Sequence, residues 1–290
     1  MSPVEGGPAW LFCPGDRPDR FAKAAQRADV VILDLEDAVA PDRKDEARRA
    51  VAEALGTGLD PARTVVRVNA AGTAEHARDV EALRDVEAVG DVEAVGDAGR
   101  PRVMLPKAED PREVLALAGF EVVVLIETPL GVERAGGLVA AHGVVGAMWG
   151  ADDLVAGLGG TGSRWPDGRY RDVARFARAR VLVAAKAHGR FALDAVHLDI
   201  DDADGLRAEC EDAVASGFDG TVAIHPAQVP VIRAAYAPSP ERVRWARELL
   251  AAAESEGGVF RFEGRMVDGP IIAQAHRIVS AARSPGPTRP

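Results

Sequence analysis

Eight short runs of β-branched and aliphatic residues punctuate the chain: AWLFC (9–13), VVILD (30–34), TVVRV (64–68), RVMLP (102–106), EVVVLI (121–126), VVGAMW (144–149), FALDAV (191–196) and GTVAI (220–224). Each has strand length, and several are apolar enough to be buried on both faces. Between them lie Ala-, Arg- and Glu-rich stretches with helical spacing, such as Val173, Phe176, Ala177 and Val181 in RDVARFARARVLVAAKAH. Strand-then-helix units repeated eight times predict an α/β fold, a closed (β/α)8 TIM barrel. A doubly wound open sheet would need fewer strands or a clear second domain. After the barrel, Ser239, Pro240 and Glu241 predict a helix start, and Gly257 and Gly258 stop that helix near Glu256. The stretch beyond, VFRFEGRMVDGPIIAQAHRIVSAAR, is too apolar for a loose tail. The expected division is therefore a catalytic barrel domain at 1–256 and a C-terminal helical extension at 257–290 that packs on a neighbouring subunit.

Polar residues placed just after the apolar runs converge on one mouth of a parallel barrel. Those positions hold Asp34, Glu36 and Asp37, then Arg67 and Asn69, Lys107 and Glu109, Glu127, Asp152 and Asp153, Asp194, and His225. Desolvating so many ionisable groups unpaired would cost several kcal/mol each by order of magnitude. A bound cation explains them economically, and an all-oxygen set without a His or Cys cluster points to a hard ion such as Mg2+. Glu127 and one of the pair Asp152 and Asp153 are the best candidates, because their strand ends are adjacent in a barrel. Arg67, in mid-strand beside Val66 and Val68, must point into the barrel or away from it. His225 before Pro226 is read as a loop residue.

Composition narrows the partners. At 290 residues and 47% hydrophobic the chain can bury a full core, and a formal charge of −10 disfavours a general affinity for nucleic acid. A small-molecule partner is expected. Two cysteines, Cys13 and Cys210, make no disulfide framework, and no apolar run approaches the length of a membrane span. A cytoplasmic protein is expected, with neither membrane nor nucleic acid among its partners.

The segments LFCPGDRPDRFAKA, VILDLEDAV, VVRVN, VMLPKAE, LIETPLG, MWGADDL, LDAVHLDI and TVAIHPAQ together resemble the citrate lyase β-subunit-like proteins of the HpcH/HpaI aldolase superfamily, related to malyl-CoA and citramalyl-CoA lyases. The resemblance runs in order along nearly the whole chain. It implies a Mg2+-dependent TIM barrel, usually a homotrimer, that makes or breaks a carbon–carbon bond between an acyl-CoA thioester and a 2-keto acid. By that resemblance Glu127 and Asp153 hold the metal and Arg67 takes the reacting carbonyl. Glu36 and Asp37 lie about the metal's water shell, Glu36 with a catalytic part and Asp37 with Gly150 and Asp152 toward substrate. Pro14, Arg17 and Lys23 would face coenzyme A. Asp268, in MVDGP, would enter an adjacent subunit's site as acid or base; without the resemblance it reads as a turn residue.

Two further segments are read without a catalytic part. Residues 79–97 contain near-copies of one hexad and would extend a helix or loop on the outer ring, while GLGGTGS (157–163) lacks the Lys of a phosphate loop and reads as a mobile loop over the substrate. A CoA-independent pyruvate aldolase of the same superfamily, and a non-catalytic partner subunit of an acyl-carrier-dependent lyase, stay open as alternatives.

Overall fold

The structure is a computed structural model that describes residues 6–86 and 101–283; the later copies of the hexad lie outside them. Residue contacts divide the chain into two compact units, Met1–Ile232 and Arg233–Pro290. In the first, eight parallel strands close in sequential order: β1 (Ala9–Pro14), β2 (Val30–Asp34), β3 (Thr64–Arg67), β4 (Arg102–Leu105), β5 (Val122–Ile126), β6 (Val144–Trp149), β7 (Phe191–Asp194) and β8 (Gly220–Ala223). This is the expected (β/α)8 barrel. All eight apolar runs are strands.

Side chains alternate across a strand, and that alternation decides which residues reach the mouth. Trp10, Val30, Ile32, Val65, Met104, Val123, Leu125, Met148, Phe191, Leu193 and Val222 form one buried cluster inside the barrel. Trp10 and Phe191 meet at 5.6 Å between ring centroids, and a Cβ on Gly146 would collide with the Phe191 ring, so β6 must be bare there. Each fully buried side chain of this kind contributes about 1.5–3 kcal/mol. Two residues beyond Ile32, Val65, Leu125 and Met148 on the same side come Asp34, Arg67, Glu127 and Gly150. Arg67 thus points into the barrel. Register places it beside Asp34, and sets Ile126 beside Trp149 at the ends of β5 and β6.

The same rule corrects one expectation. Asp194 follows inward Leu193 and so faces outward, away from the mouth. It accepts the Trp149 indole N–H at 2.6 Å and a bidentate pair from Arg178. Arg178 lies on α8 (Asp172–Ala187), whose buried face is Ala174, Ala177, Val181, Ala184 and Ala185; Val173 and Phe176, expected on that face, are exposed.

The second unit holds α11 (Pro240–Glu256), a hairpin of β9 (Phe260–Phe262) and β10 (Arg265–Val267), and α12 (Gly269–Arg283). Ser239 caps α11 through the Arg242 amide, as its sequence predicts. Glu263 and Gly264 at the hairpin tip both have positive φ, the two-residue turn that matches strand twist. Ala246 and Leu249 of α11 bury against Val267, Ala275, Ile278 and Val279. The compact unit therefore begins at Arg233, before the boundary expected after 256. Helix α11 belongs with the extension because it covers the apolar face of α12, which needs no neighbouring subunit for that burial. No helix among the described residues is long and apolar enough to cross a membrane.

Candidate active site

The stretch after β5 assigns each residue a physical task. Thr128 accepts the Gly131 amide at 3.0 Å and caps α5 (Pro129–Glu133), with Pro129 in the first helical turn. That leaves Glu127 as the residue between strand and cap, 3% exposed. Its Oε1 accepts the Lys107 amide at 3.1 Å. Burial, then the charges of Asp153 and Glu36, push its carboxyl up to about 8 against the pull of Arg67 and Lys107. Gly150 is required beside it, because a Cβ there would lie 2.7 Å from Glu127 Cβ and Oε2.

Arg67 donates from Nε and Nη2 to both Asp34 oxygens at 2.7 and 2.6 Å, the bidentate geometry that fixes a guanidinium plane. Asp34 also accepts the amides of Glu36 and Ala38. The guanidinium carbon sits 4.6 Å from the Phe12 ring centre. Burial alone would lower the Arg67 pKa, but the Asp34 hydrogen bonds and the Asp34, Glu36 and Glu127 charges outweigh it and raise it. Glu36 is nearly buried: Oε1 accepts Lys107 Nζ at 2.6 Å, while Oε2 lies 3.2 Å from Arg67 Nη1 without a hydrogen bond. Burial raises the Glu36 carboxyl above the usual range despite both cations. Exposed Asp37 accepts Lys107 Nζ at 3.1 Å.

Arg67, Glu127, Gly150, Asp152 and Asp153 line one cavity of about 140 Å3 with Phe12, Leu125, Met148 and Leu198. Asp152 and Asp153 stand in the first turn of α7 (Ala151–Gly157), and Asp152 Oδ1 accepts the Ser163 hydroxyl at 2.8 Å. Ser163 belongs to the glycine-rich loop, which Arg164 ties down through an ion pair to Glu209. Asp34 is neutralised by Arg67. Lys107 offsets charge on Glu36 and Asp37, and Asp152 and Asp153 together with Glu127 once it ionises offer an all-oxygen set that fits a hard divalent cation. Among the described residues no group of three or more His, Cys, Asp or Glu forms a closed metal cage. Two carboxylates, with water and substrate as the other ligands, match the habit of Mg2+.

Other expected residues lie elsewhere. Pro14 ends β1, Arg17 pairs with Asp19 at 3.0 Å, and Lys23 is exposed on α1 (Pro18–Arg27); none of the three lines the cavity. Asn69 bonds Asp79, the Leu35 carbonyl and Lys44 as a brace beneath the β2 loop, and Glu109 gives its amide to Glu113. Exposed His225 accepts the Ala227 amide, the loop role its sequence suggests. Asp268 sits in the second unit between β10 and α12, where its carbonyl accepts the Ile272 amide. The sequence marks Lys107 only as a strand-end cation, yet it touches three of the site's acids. No pattern of apolar residues announces that.

Residues 9–226 match the HpcH/HpaI aldolase/citrate lyase family. A citrate lyase subunit beta-like protein of Mycobacterium tuberculosis is 55% identical over 276 residues, 95% of this chain and 96% of that one. The mitochondrial citramalyl-CoA lyase of Rattus norvegicus is 30% identical over 305 residues, covering 95% and 86%. The crystal structure of CitE from M. tuberculosis in complex with magnesium, acetoacetate and coenzyme A superposes with a TM-score of 0.87 over 96% of this chain and 98% of that one, at 55% identity. A parallel barrel with an acidic mouth and an inward arginine, matched along its length in this way, belongs to the HpcH/HpaI aldolase/citrate lyase family.

Proposed function

We propose that the protein is a Mg2+-dependent carbon–carbon lyase acting between an acyl-CoA thioester and a 2-keto acid. The observation that carries this reading is the buried Glu127 carboxyl, crowded by Asp153 and facing Arg67 in one cavity. Glu127 and Asp153 are the residues that would hold Mg2+, which when bound supplies Lewis acidity toward the oxygens of the keto acid half. The relatives' names and the ligands of the M. tuberculosis structure, magnesium and coenzyme A, support the same chemistry.

In cleavage of a 3-hydroxyacyl thioester, Glu36, whose Oε2 has no hydrogen-bond partner, takes the hydroxyl proton, that C–O bond becomes a carbonyl, and the electron pair of the broken C–C bond is left on the thioester enolate. Arg67, oriented by Asp34, presents fixed positive charge where that enolate oxygen develops. Glu36, Asp37, Gly150 and Asp152 surround the keto acid side, Gly150 by making room for Glu127. Pro14, Arg17 and Lys23 face the coenzyme A end in this reading. Asp268 from a neighbouring subunit exchanges the proton at the acyl carbon. The motif MVDGP and the exposed Val259 and Met266 on the hairpin unit support an extension that meets another copy, in a cytoplasmic homotrimer. Burial pushes the Cys13 and Cys210 thiols up to about 11 and about 12, which suits inert cysteines in a reducing compartment.

The test is a panel of 3-hydroxyacyl-CoA and acyl-CoA thioesters with Mg2+. Cleavage or condensation that stops on chelation is expected, and Glu127→Gln and Asp153→Asn should each lower it by on the order of 100-fold or more with an unchanged circular dichroism spectrum. Turnover of free pyruvate with an aldehyde and no dependence on CoA would instead mark the CoA-free aldolase. Mg2+ binding unchanged in both variants would sink the metal assignment.

A further inference from the structure

Among the described residues only Lys107 and Glu263 are non-glycines with φ in the left-handed region, at 51° and 46°. Glu263 is accounted for by the two-residue hairpin turn. Lys107 lies in a turn behind Pro106, at a position that such a turn normally gives to Gly or Asn. It stands two residues past the end of β4, after Pro106, and a left-handed backbone there costs a side-chain-bearing residue of order 1–3 kcal/mol unless its surroundings enforce it. Those surroundings are three acids of the site, Glu127, Glu36 and Asp37. The left-handed turn aims the Lys107 amide at Glu127 Oε1, 3.1 Å away, while the side chain reaches the other way to Glu36 Oε1 at 2.6 Å and Asp37 Oδ2 at 3.1 Å. An extended residue would send amide and side chain to other places. One residue therefore contacts acids from two separate strand ends, β5 and the loop after β2.

We propose that Lys107 is a positioning residue whose left-handed backbone and ammonium together hold Glu127 and Glu36 at a fixed spacing, so that the metal-binding carboxylate and the acid beside the metal's water shell are arranged before the ion arrives. The inference rests on the metal reading above. A lysine beside a cation site is otherwise unwelcome, since its charge repels the ion. Its presence makes sense if the order it imposes on Glu36 and Glu127 outweighs that repulsion. Arg67 cannot substitute, because Asp34 already holds its Nε and Nη2.

The sign of one measurement separates positioning from simple charge balance. Mg2+ binding to the purified full-length protein is measured by calorimetry for wild type, Lys107→Met and Lys107→Arg. Positioning predicts that Lys107→Met weakens Mg2+ binding by about tenfold although a positive charge has been removed, the scale of loss typical for residues that orient metal ligands, and that Lys107→Arg recovers part of it. The turnover number should fall while KM for the acyl-CoA stays within about twofold, since Lys107 does not touch the CoA end. In a Glu36→Gln background the Lys107→Met effect on kcat should largely vanish, because the group it orients is already altered. Equal or tighter Mg2+ binding in Lys107→Met, or an additive loss with Glu36→Gln, would overturn the proposal. Failure of the wild type itself to bind Mg2+ would fall on the metal reading. In that case Lys107 is still tested by melting: Lys107→Gly should melt above Lys107→Ala, and equal melting would remove the strained backbone on which the inference stands.

Discussion

At the scale of single residues, Glu127 carries a consequence for pH. Its carboxyl titrates near 8 instead of the usual 4.5, first because it is buried and then because Asp153 and Glu36 crowd it with negative charge. The folded metal-free protein thus binds a proton between those values that the unfolded chain has released, and its stability declines as pH rises from 4.5 through 8. A cation needs the ionised form. Mg2+ affinity is therefore expected to climb up to about tenfold per pH unit below about pH 8 and to level off above it, with close to one proton released per ion bound on the rising limb. Calorimetry in two buffers of different ionisation enthalpy reads that proton directly. An affinity that is flat over the same range would mean that Glu127 binds no metal.

At the scale of elements, alternation along the strands made most of the site legible. The runs ending in Asp34, Arg67 and Glu127 are short and apolar, and counting in twos from Ile32, Val65 and Leu125 aims all three inward. The same count from Leu193 turns Asp194 outward, so a polar residue at a strand end belongs to the mouth only when it falls in step with the inward side chains. Lys107 was not legible in its role, because a left-handed residue after a strand leaves no mark on an apolar pattern. Gly150 was legible as part of MWGADDL but not for its reason, which is the close approach of two neighbouring strand ends. That reason is testable. Gly150→Ala should push the Glu127 side chain aside and weaken Mg2+ binding by about tenfold or more. Gly56→Ala in α2 (Lys44–Thr57), where a Cβ meets nothing within 4 Å, should leave the metal alone and raise stability by roughly 0.5–1 kcal/mol. If Gly150→Ala binds Mg2+ as the wild type does, the clearance over Glu127 is not what the glycine provides.

At the scale of the whole molecule, the Ser239-Pro240 start of α11 is legible in the sequence, whereas the packing of α11 on α12 within one compact unit is not. Apolar spacing shows that a helix has a face to bury, but not which other helix buries it. Removing everything after Gly258 takes away the partners of Ala246 and Leu249, Val267 and Ile278 among them, so the truncated chain should melt lower, by roughly 1.5–3 kcal/mol for each large side chain that loses its burial. That loss is expected whether or not the extension serves another subunit, and truncation alone therefore cannot assign Asp268. Mixing can. Asp268→Ala and Arg67→Ala should each be inactive as pure proteins, Arg67 because the enolate loses its fixed charge and Asp268 because the acyl carbon loses its proton donor. If Asp268 acts in a neighbouring barrel, co-refolding the two restores activity, because some sites take an intact Arg67 from one chain and an intact Asp268 from the next. An acid that serves its own barrel leaves one lesion in every site of the mixture, and activity stays at the level of the parents. Full activity of pure Asp268→Ala would return that residue to the ordinary role of an Asp before Gly-Pro, a residue that begins a turn and the helix after it.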